Sequence, residues 1–280
     1  MIPITKKRMP IAKKYLNAES PVERHRKKLL RVCKWALCHG VVSAEIIKNV
    51  AHQQNNSLPK QMIKKGLLIE NKTVSGWPRF FYTLSQAGLD LATSYSPNFI
   101  DYNKYLSPQK ISQTKFEHDF SVQKLSLLAI QKFGVKYLSQ AQMATRHVKG
   151  TKIPDALWIH KNIFKIAVEI EYSQKFGRIL DETLSAIIQS LVAGEFHYYY
   201  FFVRSNVIKT NYIDAMKGGR HIHSYIKNDQ NRWVKDTNKL EVIPDWLLDK
   251  VFFMQEENLL GDLTSIMQAC EQFAVEEVNQ

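Results

Sequence analysis

Apolar residues recur at helical spacing over residues 21–40, where Leu29, Leu30, Val32, Cys33, Ala36 and Leu37 line one face. Pro21 suits the first turn of that helix and Gly40 ends it. A second short helix starts at the cap Ser43 and turns Ile46, Ile47 and Val50 inward. A third follows Asn56-Ser57 with L-P-K-Q-M-I-K-K and stops at Gly66. The pattern then changes to a strand, L-L-I-E-N, a polar turn, K-T-V-S-G-W, and a returning strand, R-F-F-Y-T-L. Ser85 caps the next helix, Q-A-G-L-D-L-A. Residues 96–112 carry two prolines and no periodicity, which predicts a linker.

Helical spacing resumes over 115–133 with Phe116, Phe120, Leu125, Leu127, Leu128 and Ile130. V-K-Y-L-S-Q-A-Q-M-A (135–144) predicts a strand, and residues 145–152 a basic loop. I-P-D-A-L-W-I-H and F-K-I-A-V-E-I-E-Y, either side of Lys161-Asn162, predict a strand hairpin with Asp155 opening its first strand. A helix from Arg178 carries Ile179, Leu180, Leu184, Ile187, Ile188, Leu191 and Val192 and ends at Gly194; H-Y-Y-Y-F-F-V (197–203) follows as a buried strand. Residues 204–240 read as polar and irregular, with R-W-V-K and K-L-E-V-I as extra strands, and from Pro244 the spacing predicts an acidic helical segment.

Charge divides the chain unevenly. The formal net charge is +13, which points to an anionic partner. Residues 1–110 hold 19 Lys and Arg against 6 Asp and Glu, whereas residues 111–280 hold 20 of each. The first 20 residues form a basic arm that either follows phosphates or stays solvated, and residues 241–280 hold nine acids and one lysine. Three cysteines (Cys33, Cys38, Cys270) without metal-ligand spacing read as reduced thiols of a cytoplasmic protein. No run of membrane-spanning length or signal peptide is expected.

The hairpin holds the chemistry. Alternation puts Glu169 and Glu171 on one face of their strand and Val168 and Ile170 on the other. Two carboxylates on one face of an apolar strand repel each other and cost several kcal/mol each to desolvate, roughly, unless a cation or donor compensates. A divalent metal taken by Asp155 and Glu169 satisfies that need, because hard cations select carboxylate oxygens. His221 and His223, two apart without a third ligand nearby, read as surface imidazoles.

Pro154-Asp155 and Glu169-Ile170-Glu171 resemble the motif of PD-(D/E)xK restriction-endonuclease-like nucleases, with Glu171 where that family usually has Lys and Lys175 nearby to take the part. The order helix, three strands, helix, strand over 115–203 is similar to that fold's αβββαβ core. Residues 22–95, with G-L-L-I-E through R-F-F-Y-T-L-S-x-x-G, resemble a winged helix-turn-helix. The resemblance implies a mixed α+β or α/β chain: arm 1–20, winged helix 21–98, linker 99–112, nuclease-like domain 113–243 and acidic helical extension 244–280. It places Ser57, Lys60, Gln61, Lys64 and Lys65 of the third helix against the major groove, with Lys72, Trp77 and Arg79 on the wing. The implied metal is Mg²⁺ or Mn²⁺, held by Asp155, Glu169 and Glu171 and by Glu117 of the first core helix, with His118 as the alternative. Lys175 or Arg178 would steady the phosphate, and Glu171 would bind a second ion or act as base.

The whole layout, with V-E-I-E-Y-S-x-K, looks like the MobC-type plasmid mobilisation relaxases. That likeness implies binding of duplex DNA at a transfer origin, a metal-dependent single-strand nick, and relaxosome accessory and coupling proteins as partners. Tyr172, Tyr102 and Tyr105 are the candidate nucleophiles for a covalent adduct. A restriction or repair endonuclease, and a winged-helix regulator or replication protein whose second half is catalytically inactive, are the competing readings.

Overall fold

Residues 19–53, 55, 57–94, 108–144, 150–255 and 259–278 are described by the structure, a computed structural model, with side chains of the last helix given to residue 268. The chain builds two packed units. Among the described residues, no helix is long and apolar enough to cross a membrane.

The first unit opens with α1 (Pro21–His39), nucleated by a reciprocal cap: Ser20 Oγ accepts from the Glu23 amide and Glu23 accepts from the Ser20 amide. Gly40 ends it in the left-handed region (φ 75°). Helices α2 (Ala44–Val50) and α3 (Ser57–Lys64) follow, then the antiparallel pair β1 (Leu68–Lys72) and β2 (Phe80–Leu84), then α4 (Gln86–Thr93). Val42, between α1 and α2, bridges Tyr82 through both backbone groups and ties the hairpin to the helices. Gly88 is required here, because a Cβ would stand 2.0 Å from the Leu67 carbonyl oxygen. Val32, Cys33, Ala36, Ile46, Ile47, Leu58, Met62 and Phe81 make the core.

The second unit begins with α5 (Phe116–Phe133) and β3 (Lys136–Ser139), followed by the short α6 (Gln140–Ala144). Next come β4 (Ala156–His160), β5 (Phe164–Glu171), α7 (Gly177–Val192), β6 (Tyr198–Val203) and α8 (Asn206–Ala215). The hairpin β7 (His221–Lys227) and β8 (Trp233–Val242), a 3₁₀ segment (Asp245–Lys250), β9 (Val251–Gln255) and α9 (Leu259–Val278) complete the chain. One mixed sheet runs β3-β4-β5-β6-β9, antiparallel across the first three strands and parallel across the last three. Strand alternation sorts its side chains. Ile166, Val168, Tyr200 and Met254 meet α5 and α9; Leu157, Ala167, Tyr199 and Phe201 meet α7 and α8.

The two units share packing. Phe116, Phe120 and Leu127 of α5 sit in the core of the first unit. Gln123 of α5, fully buried, accepts from Trp35 Nε1 at 2.9 Å and donates to the Val41 carbonyl at 3.0 Å. Tyr137 on β3 bonds His39 at 2.9 Å, with Trp35 stacked on the tyrosine ring and tilted against the imidazole.

Several expectations are corrected. The expected acidic helix from Pro244 instead contributes strand β9 to the edge of the sheet, and helix resumes only at Leu259. The expected strand 135–144 stops at Ser139, and Gln140–Ala144 is helical. The segment expected to be irregular contains α8, capped by Ser205, whose Oγ accepts from the Ile208 amide. Asp155 lies one residue ahead of its strand. The basic arm (1–18), residues 99–107 of the expected linker and residues 145–149 lie outside the described residues.

Candidate functional site

The turn that joins β4 to β5 puts Lys161 and Asn162 in the left-handed region (φ 48° and 64°), and the Ile163 amide donates to the His160 carbonyl at 3.0 Å. The register so fixed sets Ala156 opposite Val168. Asp155, one residue earlier, therefore stands level with the carboxylate-bearing end of β5. Its Oδ2 accepts from the Ile170 amide at 2.9 Å and bonds His118 Nε2 of α5 at 3.1 Å. Glu169 and Glu171 share the face of β5 that looks toward α7, and both are buried.

Two lysines answer these acids. Lys152 Nζ lies 2.7 Å from Glu169 Oε2, and Lys175 pairs with Glu171. Among the described residues, Glu169 Oε1 is buried without a hydrogen-bond partner. Burial pushes the Glu169 carboxyl up to about 7, against the pull of Lys152 and with the repulsion of Asp155. Asp155 feels the same desolvation, yet its bonds to His118 and the Ile170 amide hold it below the usual carboxylate range. His118 is wedged between Asp119 and Asp155. Burial works against its charge, but the two carboxylates raise it to about 10. Burial, with repulsion from Lys152, lowers Lys175, which also feels the charges of Glu169 and Asp155. Asp155, Glu169, Lys152 and Lys175 are thus one electrostatic cluster.

Of the α5 acids, Glu117 is exposed and pairs with Arg204. His118 is the α5 residue that reaches Asp155. Tyr172 turns to the opposite face of β5, where its hydroxyl donates to Ser121 Oγ and the Arg204 guanidinium lies 4.3 Å from its ring centre. Arg178 is engaged with Glu182 at 2.7 and 2.9 Å. Tyr102 and Tyr105 lie outside the described residues. No three His, Cys, Asp or Glu side chains gather into a cation cage among the described residues. Glu171 is committed to Lys175, which leaves Asp155 and the orphaned Oε1 of Glu169 as the oxygens that fit a hard cation.

A cleft of about 590 Å³ opens beside Asp155 and His118, between His39 and Gly40 of the first unit and Ser139 and Gln140 of the second. On the first unit, α3 buries Leu58, Pro59 and Met62 and turns Lys60, Gln61 and Lys64 to solvent, with Lys65 exposed just beyond. Ser57, half-buried, receives a bond from Gln61 Nε2 at 3.3 Å. Lys72, Trp77 and Arg79 are all exposed at or beyond the ends of β1 and β2.

Lys152 and Gln123 were not singled out in the sequence. Lys152 carried a signal, since it stands three residues before Asp155; Gln123 carried none, because its partners are over 80 residues away. No protein-family model matches the chain, and no curated protein or solved structure matches it significantly.

Proposed function

We propose that this chain is a DNA-binding, divalent-metal-dependent endonuclease that nicks one strand. Its first unit serves as a winged-helix reader and its second as a PD-(D/E)xK-like nuclease core. The observation that carries the reading is the placement of Asp155 and Glu169 at one level of adjacent strands, with Lys152 and Lys175 acting on both. The sequence likeness to MobC-type relaxases makes a plasmid transfer origin the target within this reading.

Asp155 and Glu169 would hold Mg²⁺ or Mn²⁺. Such an ion polarises a phosphodiester and offsets charge on the departing oxygen when bound. The Ile170 amide and His118 fix the Asp155 carboxylate, so little reorganisation is needed for it to act. Lys152 neutralises Glu169 and must release it for the carboxylate to engage a cation. Lys175, four residues past the motif position that Glu171 fills, would take the part of the family's lysine; it is close enough to sense Glu169 and Asp155 and is suited to steady a phosphate. Glu171, paired with Lys175, orients that ammonium.

A second reading has a specific observation behind it. Lys152 already satisfies one oxygen of Glu169, and no three-ligand cage is preassembled among the described residues. Both are features of a core kept as a scaffold for a winged-helix regulator.

Supercoiled plasmid carrying a transfer origin, incubated with the protein and Mn²⁺ or Mg²⁺, separates the two. Nicked circles whose formation falls at least about 100-fold in Asp155→Ala, while duplex binding persists, support the enzyme. Binding without cleavage, identical in wild type and Asp155→Ala, supports the regulator.

A further inference from the structure

We propose that the β7–β8 hairpin, together with the first turn of α7, is a platform for single-stranded nucleic acid. This rests on the nucleic-acid reading above and adds a second contact surface to it.

The hairpin stands apart from the mixed sheet as a separate two-stranded ribbon. Its base is fastened to α7: Tyr225 donates to Asp181 at 3.0 Å and Ser185 to Glu241 at 2.6 Å. Its far end projects into solvent. Cross-strand register puts Lys227 opposite Trp233, and Tyr225 opposite Lys235. All four share one face, because directly paired residues and those two apart point the same way. Tyr225 meets α7 on that face, and so does Trp233, whose ring centre lies 4.5 Å from the Arg178 guanidinium and 5.4 Å from Lys227 Nζ.

Trp233 remains 48% exposed, and Phe176, two residues before Arg178, is 68% exposed. Residues 217–239 hold six Lys and Arg against two Asp, whereas the rest of residues 111–280 is net acidic. Exposed rings interleaved with cations suit a strand whose bases are unpaired. Bases stack on the rings whatever their identity, and phosphates follow the ammonium and guanidinium groups. A duplex hides its bases and offers Trp233 and Phe176 no free base to stack on. Placement agrees with this, since Phe176 directly follows Lys175, the partner of Glu171. A strand lying on the platform would lead to the acid cluster.

The test uses the full chain in EDTA, with fluorescein-labelled oligothymidylate and a random-sequence duplex as probes. Trp233→Ala with Phe176→Ala should weaken oligothymidylate binding at least 10-fold and leave duplex binding within 2-fold. Lys227→Gln with Lys235→Gln should reduce the salt slope for oligothymidylate by about 1.4, at about 0.7 per lost phosphate contact. The altered side chains are surface groups, and far-ultraviolet circular dichroism verifies folding. Oligothymidylate binding that these variants do not change overturns the platform, as does a wild-type chain that binds only duplex. A chain that binds neither probe overturns the nucleic-acid reading itself. Self-association of the wild type that Trp233→Ala abolishes would reassign the face to a second copy of the chain and also overturn the proposal.

Discussion

Lys152 Nζ and Glu169 Oε2 lie 2.7 Å apart, with only 19% of the lysine side chain and 3% of the glutamate side chain open to water. Removing one member of such a pair leaves the other charge uncompensated. Glu169 has an escape that a lysine-free site would use: it takes up a proton. Its carboxyl already sits near 7 because of burial, and without Lys152 it rises further above the unfolded value of about 4.5.

Lys152→Met is therefore expected to be pH-sensitive in a defined direction. A carboxyl raised by folding binds more protons folded than unfolded, so stability falls as pH climbs from the unfolded value to the folded one. In the variant that loss continues above pH 7, at up to about 1.4 kcal/mol per pH unit. Urea denaturation in EDTA should show Lys152→Met close to wild type at pH 5.5 and lower by about 2 kcal/mol at pH 8.5. Equal deficits at both values would mean that the pair matters only for packing.

The proposed reader surface makes a separate prediction. Lys60, Lys64 and Lys65 are exposed on or just beyond α3, whose opposite face is buried through Leu58 and Met62. If they lie along a duplex backbone, replacing all three by Gln removes about three phosphate contacts. The slope of log affinity against log salt should then fall by about 2.7, at about 0.9 per contact. Gln61→Ala should weaken binding to a cognate site by about 1–3 kcal/mol and leave random duplex unaffected. Fluorescence anisotropy across a salt series measures both.

The parts of this architecture that could be read in advance are those whose signals are local. Pro21 in the first turn of α1, caps at Ser43 and Ser85, the glycine at 40 and the period-two alternation of β5 each arise within a few residues, so the helix starts and the shared face of Glu169 and Glu171 were legible. Strand β9 was not. Val251–Gln255 is an interior-type apolar run without alternation, preceded by Leu247 and Leu248 at a spacing that also fits a helix. Parallel pairing with β6 decides its state, and that is a long-range contact. The site divides likewise. Glu171–Lys175 is an i,i+4 pair visible in the chain, whereas the choice of His118 over Glu117 depends on which side of α5 meets Asp155. Only the packed helix determines that.

Gln123 connects the two units through one buried amide. Both ends of that amide are used, by Trp35 Nε1 and by the Val41 carbonyl. Gln123→Leu keeps the approximate volume and removes both partners at once, leaving a donor and an acceptor unsatisfied at the junction. Each costs about 1–3 kcal/mol when buried, so the variant should lose about 2–6 kcal/mol in chemical denaturation. Because Phe116 and Phe120 still belong to the core of the first unit, unfolding should remain one transition. Two separated transitions would show that the amide, rather than the apolar contact, couples the units.

His39 and His118 tilt the pH profile in opposite directions. Burial pulls His39 down to about 3, where it stays neutral against Tyr137 and Trp35. The unfolded chain protonates this group near 6.5 and the folded chain does not, so its contribution is intact above 6.5 and lost as pH falls toward 3. His118 is raised to about 10 by Asp119 and Asp155 against the cost of burial, so its contribution is intact below 6.5 and lost as pH rises toward 10. Replacing His39 by Phe should cost about 1 kcal/mol at pH 7, the typical net worth of its hydrogen bond to Tyr137. It should also flatten the acid limb by up to about 1.4 kcal/mol per pH unit below pH 6.5, so that at pH 5 the variant matches or exceeds wild type. Replacing His118 by Phe should remove the alkaline decline between 6.5 and 10. Thermal denaturation from pH 5 to pH 10 reads both, and a His39→Phe curve that runs parallel to wild type below pH 6.5 would mean that His39 is protonated in the folded chain.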